Sequence, residues 1–123
     1  MAGRRNRLSR NREITIVVTG RKSGRAISIP IWFVLEDDTL YLLPAYGSET
    51  QWYKNVLENP SIRVDAGGAE AEFDALPVTD AGQVSSIIEK FRAKYGDGGL
   101  KLYSKLEVAV IAGSRAAMAG RPS

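Results

Sequence analysis

The sequence contains no cysteine and no histidine. Those two absences exclude disulfide scaffolds, thiolate nucleophiles, Cys/His zinc sites, Ser-His-Asp triads and every imidazole proton shuttle, and no metal site is expected. Long apolar runs are also missing. No stretch approaches the roughly 20 residues needed to cross a bilayer. No apolar segment resembling a signal peptide follows the first arginines before Ile14. A cytoplasmic protein is the expectation.

What is present fits one globular domain. The chain has 123 residues, 44% hydrophobic and 25% charged, enough to bury a modest core. Chemistry must therefore come from carboxylates, hydroxyls, Lys, Arg and Tyr, or from a bound cofactor. The cofactor suits the composition best, because it brings its own reactivity and asks the protein mainly for binding and orientation.

The net charge of +3 is unevenly placed. The first 25 residues hold eight basic side chains (Arg4, Arg5, Arg7, Arg10, Arg12, Arg21, Lys22 and Arg25) against Glu13 alone, a local charge of +7 that leaves the remainder at −4. A basic front on a mildly acidic body points to an anionic partner near the N-terminal third.

Residues 1–12 read as a polar, mobile segment, or a short helix if docked. Ile14–Thr19 is β-branched throughout and predicts a strand. Gly20-Arg21-Lys22-Ser23-Gly24-Arg25 is a glycine-bounded turn. Ala26–Leu35 predicts a second strand, with Ile27, Ile29, Ile31 and Phe33 on one face by strict alternation. A hairpin at Glu36–Thr39 leads to a third strand, Leu40–Leu43.

Ser48 and Gln51 have capping-box spacing, so a short helix is predicted after Ser48, through Trp52, Tyr53 and Val56, ending before Pro60. Ile62–Asp65 and Ala71–Val78 form a second hairpin around Gly67-Gly68. Asp80 and Gln83 repeat the cap spacing. Val84, Ile87, Ile88, Phe91 and Tyr95 then mark an amphipathic helix of about four turns, broken by Gly96-Asp97-Gly98-Gly99. Leu106–Ala112 is the last strand, before a polar tail. The expected fold is mainly β: a six-stranded antiparallel split β-barrel with two or three peripheral helices, the domain spanning 13–113 between a basic segment (1–12) and a tail (114–123). Closure into a barrel removes the edges that an open six-stranded sheet would expose.

Four stretches can carry function. The turn Thr19–Arg25 combines two glycines, which let the backbone approach a ligand, with three cations and two hydroxyls suited to phosphate or carboxylate. Its spacing is not that of a P-loop, and the bland alternative is a solvated hairpin tip. Pro44-Ala45-Tyr46-Gly47-Ser48 leads into a helix N-terminus that offers unpaired N–H groups, or merely caps the helix. Of the aromatic residues, Phe33 and Trp52 read as core. Alternation points Trp32 away from the barrel interior, and an outward tryptophan calls for a partner or a ligand. The arginine-rich front reads as a solubilising tail that could touch an anionic surface. No nucleic-acid-binding signature accompanies it.

Together, Thr19-Gly20-Arg21-Lys22-Ser23-Gly24-Arg25, the strand with Pro30, Tyr46-Gly47-Ser48, and Trp52-Tyr53-Lys54-Asn55-Val56 before Asn59-Pro60 resemble the deazaflavin (F420)-dependent nitroreductase family. That family lies among the flavin/deazaflavin oxidoreductases with the pyridoxamine-phosphate-oxidase-like split β-barrel. The resemblance runs from about Ile14 to Ala112. It implies a homodimer that binds F420, or alternatively FMN, and passes hydride to a small electron-poor acceptor such as a quinone, nitroaromatic or enone. It implies that Arg21, Lys22, Ser23 and Arg25 hold the cofactor phosphate. Ala45, Tyr46, Gly47 and Ser48 would lie beside its ring, and Trp32 and Tyr103 would line the substrate side. Tyr46, Ser48, Tyr103 or solvent would protonate the product. The chain differs from the family in having Ile27 where a further arginine is common, and Ala45 where serine is frequent. A non-catalytic binder of a planar or apolar ligand, and a nucleic-acid-binding front, are the readings from other classes.

Overall fold

The computed structural model describes residues 13–37, 39–66 and 69–114. The segments 1–12 and 115–123, with Asp38 and the Gly67-Gly68 pair, lie outside the described residues, so the readings of the arginine-rich front and the tail fall there.

Seven strands run β1 (Ile14–Thr19), β2 (Ala26–Ile31), β3 (Val34–Glu36), β4 (Thr39–Leu42), β5 (Ser61–Ala66), β6 (Ala69–Val78) and β7 (Ala109–Ser114). Two helices accompany them, α1 (Gln51–Glu58) and α2 (Ala81–Leu100), with a single 3-10 turn at Gly47–Glu49. The strands form one sheet in the order β2-β1-β5-β6-β7-β4-β3, and every pairing of named strands is antiparallel. The fold is mainly β with peripheral helices, as the sequence leads one to expect.

The strand count rises from six to seven because the expected second strand is interrupted at Trp32-Phe33. That break gives the sheet its shape. β2 and β3 lie at opposite ends of the strand order yet are joined by two residues, a reach of at most about 10 Å. The sheet must therefore curl until its two edges nearly meet, which makes a barrel split between β2 and β3.

A break in a strand leaves backbone donors and acceptors without ladder partners, which is costly when they are buried. Here the Tyr95 hydroxyl repairs it. It accepts from the Phe33 N–H (3.0 Å) and donates to the Phe33 carbonyl (2.9 Å), which also accepts from Lys94 Nζ (2.9 Å).

The core has two compartments. Alternation in β1 sends Ile14, Ile16 and Val18 inward. They meet Phe33, Leu40, Leu42, Ile62, Val64, Phe73 and Val110, closed at one end by Trp52, Tyr53 and Val56 of α1. Along β2 the predicted apolar face becomes exposed toward the hairpin tip: Ile31 is 8% exposed but Ile27 is 38%. The second compartment lies under α2, whose Val84, Ile87, Phe91 and Tyr95 pack on Val34, Leu43, Val78 and Ala109.

Asp80 caps α2 as its spacing predicts, Oδ2 accepting from the Gln83 N–H at 2.9 Å. The helix breaks at Gly96, as the glycine run predicts, and resumes beyond it. Gly96 takes φ 81°, ψ 167°, the chain turns, and another helical turn carries it to Leu100. Two contacts hold that turn: Leu100 is buried in the second compartment, and Gly99 approaches Trp32 so closely that a Cβ there would lie 3.1 Å from its ring. The final strand starts later than expected and extends through Gly113 and Ser114. Among the described residues no helix is long and apolar enough to cross a membrane.

Candidate functional site

A cleft of about 350 Å³ opens beside the split in the barrel. Its walls come from the end of β2, the loop after β4, the start of α1 and the segment after α2. Aromatic rings dominate it: Trp32, Tyr46, Trp52 and Tyr103.

Trp32 points away from the barrel interior, and the partner it finds is Tyr95. The two rings stack with centroids 4.4 Å apart and planes 7° apart, and Tyr103 meets Trp32 edge-on at 6.2 Å. One side of the cleft is thus a rigid aromatic assembly anchored in the second core compartment. Burial pushes the Tyr103 hydroxyl well above the ordinary tyrosine range, with Tyr95 adding to the shift, so it stays protonated. Tyr46 stands at the mouth, 61% exposed.

The loop that carries Ala45–Ser48 is pinned from both ends. The Ala45 carbonyl accepts from the N–H groups of Ser104 (2.7 Å) and Lys105 (3.3 Å). The Tyr46 N–H donates to Thr50 Oγ1 (2.8 Å). Ser48 donates through both its N–H (3.0 Å) and its hydroxyl (2.9 Å) to Glu107 Oε2. Gly47 takes φ 59°, a conformation that favours glycine, and a Cβ there would displace the Glu107 side chain, whose Cγ would lie 2.8 Å away.

These contacts correct the capping reading of Ser48. The residue before α1 is Thr50, which makes no side-chain cap bond, and Ser48 sits in the 3-10 turn with its hydroxyl committed to Glu107. Ser48 lies two residues before the N-cap position, so its hydroxyl does not serve the helix N–H groups and donates instead to a carboxylate 59 residues away.

Both Ser48 bonds hold the Glu107 carboxyl below the usual carboxylate range. Because the folded value is depressed, the contact stabilises the fold above the ordinary glutamate pKa and is lost as pH falls through the folded value. Thermal unfolding of the wild type and Glu107→Gln should therefore differ at neutral pH and converge in acid. A difference that persists through the acid range would contradict this.

The basic turn is clamped to α1. The Arg21 backbone N–H and Nη1 donate to Asn55 Oδ1 (3.1 and 2.8 Å), and Nη2 donates to Gln51 Oε1 (2.9 Å). Asn55 is 5% exposed and is positioned by the helix that also brings Trp52 into the cleft. Both acceptors are neutral amides, so they orient the guanidinium without cancelling its charge. Lys22 and Arg25 are exposed, and Ser23 Oγ accepts from the Arg25 N–H (3.1 Å) within the turn.

Of the residues singled out in the sequence, the cleft brings together Trp32, Ala45, Tyr46 and Tyr103. Gly47 and Ser48 lie behind it on the same loop, and Arg21, Lys22, Ser23 and Arg25 lie on the hairpin held against α1. Glu13, Leu102 and Glu107 were not singled out in the sequence as contributors, and nothing local marks Glu107, whereas the helical spacing had already put Tyr95 on the apolar face of α2.

Curled antiparallel strands with a cleft at the split define a split-barrel protein of the structural class that includes F420-dependent reductases. The chain itself belongs to the family described as "uncharacterized protein conserved in bacteria" (DUF2255), whose model matches residues 5–117. No curated protein matches it. Among solved structures it resembles an F420-H2 dependent reductase (FDR-A), with 19% identity and a TM-score of 0.66 over 83% of this chain and 94% of that one. It also resembles a chain described as a domain-swapped dimer (19%, TM-score 0.67, 83% and 80%). HutZ, a heme storage protein from Vibrio cholerae, is similar at 12% identity and a TM-score of 0.70 over 91% and 87%. At these identities the likeness is one of fold.

Proposed function

We propose that this protein is a reductase that binds a deazaflavin of the F420 type and passes hydride to a small electron-poor acceptor, such as a quinone or nitroaromatic, held in the aromatic cleft. The observation that carries the reading is the shared role of α1. Through Gln51 and Asn55 it holds a cationic hairpin whose charge stays available, and through Trp52 it forms a wall of the cleft. A cofactor with an anionic tail and a flat ring needs those two features side by side. The name of the F420-H2 dependent reductase that shares the fold supports the same reading.

When bound, the deazaflavin supplies the hydride donor, a chemistry that requires no histidine. The chain's own residues have four tasks. Arg21, Lys22, Ser23 and Arg25 bind the anionic tail. Ala45, Tyr46, Gly47 and Ser48, rigid through Ala45 O and Glu107, form the ring-side loop. Trp32 and Tyr103 offer faces to the acceptor and exclude water. Of the three candidate hydroxyls, those of Tyr46 and Tyr103 line the cleft, while the Ser48 hydroxyl is engaged by Glu107, so the proton comes from one of the two tyrosines or from solvent.

A cytoplasmic homodimer accords with this reading. β2 is an edge strand with exposed Ala26, Ser28 and Pro30, and one fold neighbour is described as a domain-swapped dimer. The test is turnover: reduced F420 should be oxidised by quinones or nitroaromatics in the presence of the protein. Binding of F420 without oxidation by any acceptor would make this a non-catalytic binder. Preference for FMN would place it in the flavin branch.

A further inference from the structure

The cleft has an uneven charge pattern that bears on what it accepts. Among the described residues Glu13 is the single charged side chain in its lining; every other described wall residue is apolar, aromatic or a neutral alcohol. Glu13 directly precedes β1, and the register that pairs Ile14 with Ile31 brings it level with Trp32 across the β1–β2 ladder. No Lys or Arg among the described residues lines the cleft to neutralise it. The basic groups of the hairpin are turned to α1 and to solvent.

Two physical effects act in the same direction here. A carboxylate beside apolar walls is screened less than one in bulk water, so its attraction for a cation is larger. Tyr46, which is exposed, and Tyr103 line the same cleft, and the negative face of an aromatic ring also favours a cation. An anionic guest meets repulsion from both. A volume of about 350 Å³ is in the range of small-molecule sites.

We propose that, among the flat electron-poor guests the cleft accepts, it prefers a heteroaromatic cation over a neutral ring, with Glu13 as the specificity-determining residue and the tryptophan and tyrosine rings as its walls. The inference rests on the reading of this cleft as the acceptor site, but not on the identity of the cofactor.

The test uses the full chain without cofactor and compares N-methylquinolinium, which carries a fixed charge, with quinoline, which is neutral at mildly alkaline pH. Calorimetric titration should show the cation binding about tenfold more tightly. Glu13→Gln should remove most of that preference while leaving quinoline binding and the melting temperature unchanged, since Glu13 is exposed. Equal affinity for the two compounds, a preference that survives Glu13→Gln, or no binding of either would overturn the proposal. Failure of F420 to bind would leave a positive result here intact, so the two readings fail separately.

Discussion

Replacing Arg21 and Lys22 together by alanine is expected to weaken deazaflavin binding at least a hundredfold while leaving the protein folded. Each charge-assisted bond to a phosphate contributes about 1.5–3 kcal/mol, so losing two costs about 3–6 kcal/mol. The structure explains why the fold should tolerate the change. Asn55 is buried, but its Oδ1 also accepts from the Arg21 backbone N–H at 3.1 Å, a bond that survives truncation to alanine. Gln51 is exposed and can turn to water. Fluorescence titration and a thermal melt on the same sample separate the two effects. Unchanged affinity in the double variant would reduce the turn to a solvated hairpin tip.

The second large effect is on stability and centres on Tyr95. In Tyr95→Phe the buried Phe33 N–H loses its partner, whereas the Phe33 carbonyl keeps Lys94 Nζ. One orphaned buried donor costs about 1–3 kcal/mol. Tyr95→Ala also removes the ring beneath Trp32 and against Phe91, stacked at 4.4 and 5.8 Å, and should cost about 3–5 kcal/mol. Against a typical total of about 5–15 kcal/mol, the alanine variant stands near the limit of folding. Denaturant midpoints should therefore rank wild type above Phe above Ala. A Phe variant as stable as wild type would show that the hydroxyl is not what closes the strand break.

The same residues show what the sequence made legible. β1, the β5–β6 hairpin and α2 were readable because each announces itself within a few residues, by β-branching, by alternation around paired glycines, or by a capped 3.6-residue period. The break at Trp32-Phe33 was not. Alternation continues straight through it, and the group that satisfies the broken ladder is a tyrosine hydroxyl 62 residues away. Ser48 illustrates the same limit: its spacing to Gln51 is that of a cap, but the helix begins at Gln51 with Thr50 before it, and the Ser48 hydroxyl donates to a distant carboxylate.

The site was legible in its parts more than in its assembly. Composition marked the basic turn, and strand alternation turned Trp32 outward. Tyr46 was found on the loop before α1, and Tyr103 came from the family resemblance. The cleft's acid, Glu13, was counted only as the one negative charge in a basic front. Its place beside Trp32 follows from the register of β1 on β2, which depends on how the Gly20–Arg25 turn closes, with Gly24 at φ 72°.

The chain has two tryptophans, and both Trp32 and Trp52 line the cleft. Tryptophan fluorescence therefore reports directly on the site, and parallel titrations of the purified protein with F420 and with FMN test the central claim. Saturable quenching by F420 is expected at concentrations well below those needed for FMN, with loss of that quenching in the Arg21→Ala, Lys22→Ala double variant. Titrations in which neither compound changes the emission would contradict it, leaving the hairpin of Arg21 and Lys22 without a cofactor to hold.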